Sequence, residues 1–234
     1  IAVRGKKWSD HLSGMEAMLT DVDQPLFDAL QLEGPARIAE IGCGGGGTAL
    51  RLLRQAPAGS VVHGFDISPN LVEVARQRAR ALEGDIAFEV ADMAKAGPAR
   101  PYDRLISRFA VMFFDDPQAG FANLVRWLVP GGRFAFAVWG PTSENSWIAS
   151  TREAVATVVD VPPADLEAPG AFRYGDPNKL LTLLRAAGFG QLAGRSWRGP
   201  LAIGGGLPPA EAAHFALSAF SSFNELLAQA GEAA

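Results

Sequence analysis

The chain has 234 residues, 48% of them apolar and 20% charged, with 25 acidic against 21 basic side chains and a formal charge of −4. This length and hydrophobicity exclude a small stapled module, a disordered chain and a fibre, and fit one substantial core. The single cysteine, Cys43, excludes an internal disulfide and a zinc knuckle and points to a reducing, cytoplasmic setting, while the weakly acidic balance disfavours nucleic acid as a partner.

The chain opens at Ile1 with no charged start followed by an apolar core, and no apolar run approaches the roughly 18 residues of a membrane span, so a soluble protein with no membrane partner is expected. Trp8-Ser9-Asp10-His11-Leu12 with Met15 and Met18 reads as an amphipathic helix able to cover a site. Short apolar runs then alternate with helical patterns, the mark of a parallel sheet covered on both faces. The strands are Arg37 to Ile41, Ser60 to Phe65, Asp85 to Ala91, Asp103 to Ser107 and Gly132 to Trp139. The helices between them are Thr48 to Gln55, Pro69 to Leu82 and Pro117 to Leu128, two of which begin with Ser68-Pro69 and Asp116-Pro117, a capping residue before a proline at the first helical position. Gly131-Gly132 separates the last helix from the fifth strand.

Residues Gly140 to Tyr174 break the rhythm and read as an insertion, with a helix-like stretch at Ser150 to Val159. A helix follows at Asn178 to Ala187, ended by Gly188. Gln191 to Ile203 reads as a strand or hairpin, and Pro208 to Ala230 as a helix. The whole is one α/β domain, a Rossmann-like, doubly wound, mostly parallel sheet, divided into a helical cover (1–33), a core (34–140), a lid insertion (141–174) and a C-terminal part (175–234) whose completeness stays open.

The chemistry concentrates after the first strand, where Ile38-Ala39-Glu40-Ile41-Gly42-Cys43-Gly44-Gly45-Gly46-Gly47 turns through glycines into a helix. Gly42, Gly44 and Gly47 satisfy the dinucleotide pattern GxGxxG, which alone is weak evidence. Glu40 discriminates. A carboxylate two residues before the first glycine repels a pyrophosphate and attracts a cationic amino-acid ligand. Asp66 ends the second strand and Asp92 the third, at equal intervals along the chain, each one strand-helix unit, so all three acids reach the same carboxyl edge of the sheet.

Here the sequence resembles the class I S-adenosylmethionine-dependent methyltransferases, whose first motif is matched by Ile38, Ala39, Glu40, Ile41, Gly42, Gly44 and Gly46. The fourth-strand segment Tyr102 to Phe109 and the Val129-Pro130-Gly131-Gly132 turn are similar to the family's later motifs, and Phe109 to Pro117 is similar to a subgroup of small bacterial members. The resemblance implies S-adenosylmethionine as cofactor, leaving as S-adenosylhomocysteine. It places the methionine part against Gly42, Cys43, Gly44 and Gly46 and its amino group near Glu40. The ribose hydroxyls fall on Asp66 beside Ile67, the adenine on Asp92 and Met93, and Arg108 near the methionine part or the acceptor. The implied reaction is direct in-line methyl transfer to a small-molecule acceptor. It needs alignment and water exclusion rather than a covalent intermediate, so no metal site is expected and no catalytic residue is assigned.

His11, Asp115, Asp116 and His214 are the candidate general bases by position, with Asp116 better read as a helix cap. Trp147, Phe172, Phe109 and Met112 would line an apolar acceptor pocket. Three alternatives stay open: an NAD(P)-dependent oxidoreductase, against which stand Glu40 and the lack of a Tyr-x-x-x-Lys pair at Tyr102 or Tyr174, a methyltransferase acting on an RNA ribose or a protein carboxyl, and a protein that binds S-adenosylmethionine without transferring its methyl group. The oligomeric state, including a homodimer, is not legible. The family's sheet usually closes with an antiparallel strand, which here is either absent or supplied by Gln191 to Ile203.

Overall fold

The computed structural model describes residues 9–163, 165–219, 223 and 226–228. The strands are β1 (Arg37–Ile41), β2 (Val61–Asp66), β3 (Asp85–Val90), β4 (Tyr102–Arg108) and β5 (Leu128–Ala137), all parallel in the order β3-β2-β1-β4-β5. The reversal of winding therefore falls between β1 and β4, beside the glycine loop. That is the place where open α/β sheets bind ligands.

Strand side chains alternate between faces, and the two faces bury separate cores. Ile38, Val62, Phe88 and Ile106 pack with α2 (Asp23–Leu30), α3 (Gly47–Gln55) and α4 (Pro69–Ala79). Ala39, Ile41, Phe65 and Leu105 pack on the other side with α5 (Pro117–Val125) and α7 (Pro177–Ala187). α1 (Leu12–Met18) buries Leu12, Met15 and Met18, and α6 (Ser146–Ala156) lies in the segment after β5. α8 (Pro209–Ala219) packs Phe215 against Met15, Met18 and Leu19. Of the expected amphipathic segment, Trp8 lies outside the described residues, as does much of the region after Ala219.

The local start signals are partly as expected. Asp116 accepts from the Ala119 amide and Asp176 from the Asn178 amide, so both cap helices that begin with proline. The Ser68 side chain makes no cap bond; its own amide donates to Asp66 Oδ1. Gly131-Gly132 lies inside β5 rather than before it. Tyr102 pairs with Leu128 but Arg104 with Arg133, so the Pro130-Gly131-Gly132 turn bulges out of the edge strand without ending it.

One expectation fails. Gln191 to Ile203 forms no strand, and among the described residues the sheet has no antiparallel member. Gly194 and Gly199-Pro200 weaken pairing, and most side chains of this segment are exposed, so no apolar face holds it to β5. Phe189, just before it, packs instead on Phe134 and Phe136 of that edge strand.

Candidate active site

The glycine loop is shaped by what lies against it. Gly42 has φ +69°, and a β-carbon there would meet Ala110 Cβ at 2.1 Å; Gly46, at φ +82°, would meet Phe88 at 2.8 Å. The turn is pinned to β2: the amides of Gly42 and Cys43 both donate to the Phe65 carbonyl, and the Gly44 amide donates to Asp66 Oδ2 at 2.9 Å. Leu12 lies against Gly45 and Glu16 against Gly47, so α1 covers the loop. The Glu16 carboxylate holds Arg78 at 2.9 Å, and the same guanidinium donates to the Gly45 carbonyl.

Glu40 is fully buried in β1, beneath the start of α3, where it accepts from the Ala49 amide. Its Oε2 is sealed from solvent with no hydrogen-bond partner. Burial pushes the carboxyl up to about 8, with Asp23 adding to the rise and Arg108, the Ala49 amide and Arg51 opposing it. Arg108 does not stand free: Nη1 donates to Asp23 Oδ1 at 2.9 Å and to the Leu19 carbonyl at 3.1 Å. Asp23, buried on α2, also receives Arg51 and the Thr48 hydroxyl. The result is a row of alternating acidic and basic groups, Glu40, Arg108, Asp23 and Arg51, fully buried at its Glu40 end and partly exposed at Arg51.

Asp66 and Ile67 sit at the end of β2. Asp66 is half-buried, and the desolvation that raises its pKa is opposed by the backbone amides of Ser68, Gly44 and Ile67. Ile67 is 42% exposed, and Val90, opposite Asp66 in β3, is 46% exposed, an apolar surface beside a carboxylate. Asp92 accepts from the Ala94 amide and pairs with Lys95 at 3.1 Å. Met93 turns the other way, into the core, while its carbonyl accepts from Asn123. Cys43 is buried, and burial with Glu40 and Asp66 nearby drives its thiol well above the usual range, which makes it a packing residue rather than a nucleophile.

The other half of the edge, past β4 and β5, is aromatic. Phe109, at φ +55°, stacks on Trp139 with ring centroids 4.4 Å apart, and Trp139 meets Trp147 at 5.3 Å and Phe172 at 6.2 Å. Met112 is buried in the core beneath. Of the candidate bases, Asp115 is exposed and Asp116 is a cap. His11 and His214 come together along a groove of about 410 Å³ that also includes Phe215, on whose ring His11 sits edge-on at 5.4 Å. Sequence reasoning missed Asp23 and Arg78, because each acts through a partner far away in the chain. Among the described residues there is no cluster of three metal-ligating side chains, and no helix is long and apolar enough to cross a membrane.

Residues 38–132 match a family described as a methyltransferase domain. The chain is 29% identical to a demethylmenaquinone methyltransferase of Deinococcus radiodurans over 165 residues, 66% of this chain and 68% of that one. It spans between about a fifth and a half of the length of seven further curated relatives that it matches. Two solved structures share the fold. The YcgJ protein from Bacillus subtilis has a TM-score of 0.58 at 19% identity, covering 86% of this chain and 80% of that one. A phosphoethanolamine N-methyltransferase of Haemonchus contortus, in complex with S-adenosyl-L-methionine, has a TM-score of 0.53 at 21% identity, covering 72% of this chain and 36% of that one.

Proposed function

We propose, on the premise that this chain belongs to the class I S-adenosylmethionine-dependent methyltransferases, that it moves a methyl group from that cofactor to a small-molecule acceptor. The observation that carries the reading is Glu40: a buried carboxyl whose Oε2 has no partner among the described residues, raised to about 8 by burial, fits a cationic group of a ligand. The amino group of a methionine moiety supplies that cation. A pyrophosphate would add a second anion beside the first, which counts against the nicotinamide alternative.

The residues fit the cofactor along one edge. Gly42 and Gly46 turn the chain tightly against Ala110 and Phe88 at the end of β1, and the backbone of Gly42, Cys43, Gly44 and Gly46 is assigned to the methionine part of the cofactor. Asp66 has lone pairs beyond its two backbone bonds for a ribose diol, with Ile67 as an apolar face beside it. Asp92 and the backbone at Met93 take the adenine end. Arg108 acts on the cofactor through Glu40, since Asp23 and the Leu19 carbonyl hold its guanidinium. When bound, the cofactor supplies a methyl group on a sulfonium, ready for displacement.

The protein's part is then alignment and exclusion of water. The loop fixes the donor, α1 covers it, and the aromatic group over β4 and β5 receives the acceptor, with residues 141–174 as the covering insertion. The single cysteine supports a reducing, cytoplasmic setting, and the weakly acidic charge disfavours nucleic acid as a partner. Calorimetric titration with S-adenosylmethionine, S-adenosylhomocysteine, NADH and NADPH, repeated on Asp66→Ala, tests this. Saturable binding of the adenosyl ligands alone, weakened in the variant, is expected; binding of a nicotinamide nucleotide instead would overturn it.

A further inference from the structure

Arg173 and Tyr174 close the segment after β5, and they are only 8% and 1% exposed. Arg173 Nη1 donates to the Phe114 carbonyl, while Nε is sealed from solvent without a partner. Among the described residues Nη2 has no hydrogen bond and the guanidinium no ion pair. The Tyr174 hydroxyl is likewise buried without a partner. Arg108 shows the contrast: its side chain, also largely buried, has Asp23 as its counter-charge.

A guanidinium cannot shed its proton, and an unpaired interior charge is costly to keep. With Nη1 tied to Phe114, the Nε–Nη2 edge is left, two parallel N–H groups at the spacing of the two oxygens of a carboxylate. The Tyr174 hydroxyl, pushed up to about 12 by burial against the pull of Arg173, stays protonated and adds a third donor. Location fits as well. The Gly170 amide donates to the Met112 carbonyl and Gly175 packs on Gly140 and Pro141, so these residues lie between the turn after β4 and the end of β5. Phe172, next in the chain to Arg173, belongs to the aromatic group around Trp139.

We propose that Arg173, with the Tyr174 hydroxyl, binds the carboxylate of the methyl acceptor, so that the acceptor class is an aromatic or otherwise apolar carboxylic acid. This rests on the reading of the β4–β5 half as the acceptor site. The site is already charged and nearly dry, so it distinguishes a carboxylate from its neutral isostere more than from a second acid.

The test is calorimetry on the protein saturated with S-adenosylhomocysteine, with 2-naphthoate, 2-naphthamide and 2-naphthyl phosphate as probes. The wild type is expected to bind the naphthoate at least about tenfold more tightly than the amide. Arg173→Gln loses about tenfold or more of that affinity, Arg173→Lys loses less because the charge remains without the fork, and Tyr174→Phe loses a few-fold. All three keep the wild-type affinity for S-adenosylhomocysteine, which also reports that they fold. Should Arg173→Gln fail to fold, the lysine and phenylalanine variants decide. Equal binding of acid and amide, no binding of the acid, tighter binding of the phosphate, or variants indistinguishable from wild type would each overturn the proposal. Failure of the wild type to bind S-adenosylhomocysteine would instead sink the cofactor reading, before any acid is added.

Discussion

The two halves of the carboxyl edge are built in different ways. Over β1, β2 and β3 the site is made of backbone turns and strand-end acids, in which Asp66 and Asp92 have protein partners and Glu40 Oε2 has none among the described residues. Over β4 and β5 it is made of aromatic rings and a buried arginine drawn from Phe109, Trp139 and the neighbours Phe172 and Arg173, three chain segments brought together by folding. A common ligand is met by local, repeatable geometry. A ligand particular to one protein is met by side chains that tertiary packing collects.

The sharpest break of that contrast is Glu40→Gln, which keeps the shape and removes the charge. Affinity for S-adenosylhomocysteine is expected to fall by about tenfold to a hundredfold, the worth of a charge-assisted hydrogen bond in a dry site. Stability moves the opposite way. The folded pKa of about 8 lies above the ordinary 4.5, so between these values the folded chain holds a proton that the unfolded chain releases. That contribution is complete below pH 4.5 and is lost as pH rises through 8. The ligand-free variant should therefore melt several degrees above wild type at pH 8.5 and together with it at pH 4.5, read by thermal unfolding. A variant less stable at both pH values would show that Glu40 is a structural carboxylate.

Next comes Asp66→Ala, which strips acceptors from the Gly44 and Ser68 amides as well as from the ligand. It should cost about 2 kcal/mol in urea unfolding and weaken the adenosyl ligand in parallel, linking loop and site in one variant. Gly42→Ala tests the cradle alone. A β-carbon at 2.1 Å from Ala110 Cβ on a positive-φ residue should cost about 1–3 kcal/mol in the same unfolding measurement.

The smallest effect belongs to the cover. Glu16→Gln loosens a partly exposed pair with Arg78 and should change unfolding by no more than about 1 kcal/mol. Its more informative readout is the dissociation rate of S-adenosylhomocysteine, expected to rise if α1 gates the loop.

The same division governs what the sequence discloses. Glu40, Asp66 and Asp92 are legible because strand-end position and equal spacing follow from the chain itself, and the five strands because apolar runs alternate with helical periods. The absent hairpin at 191–203 was misread because apolar residues among glycines resemble a strand until a partner edge is required. The place of Arg108 at the end of β4 is legible but its attachment is not, because Asp23 lies on a helix that no local pattern joins to β4. Arg173 carries no motif. What marks it is that, among the described residues, no carboxylate pairs with it, which only the folded chain shows.

The central claim, that Glu40 receives the cationic amino group of the cofactor, is tested most directly by titrating S-adenosylhomocysteine into wild type and Glu40→Gln from pH 6.5 to 8. Because binding must draw the proton off a carboxyl of pKa about 8, wild-type affinity should rise about tenfold across that range while the variant stays weak and flat. Parallel, pH-independent affinities in the two proteins would contradict the account.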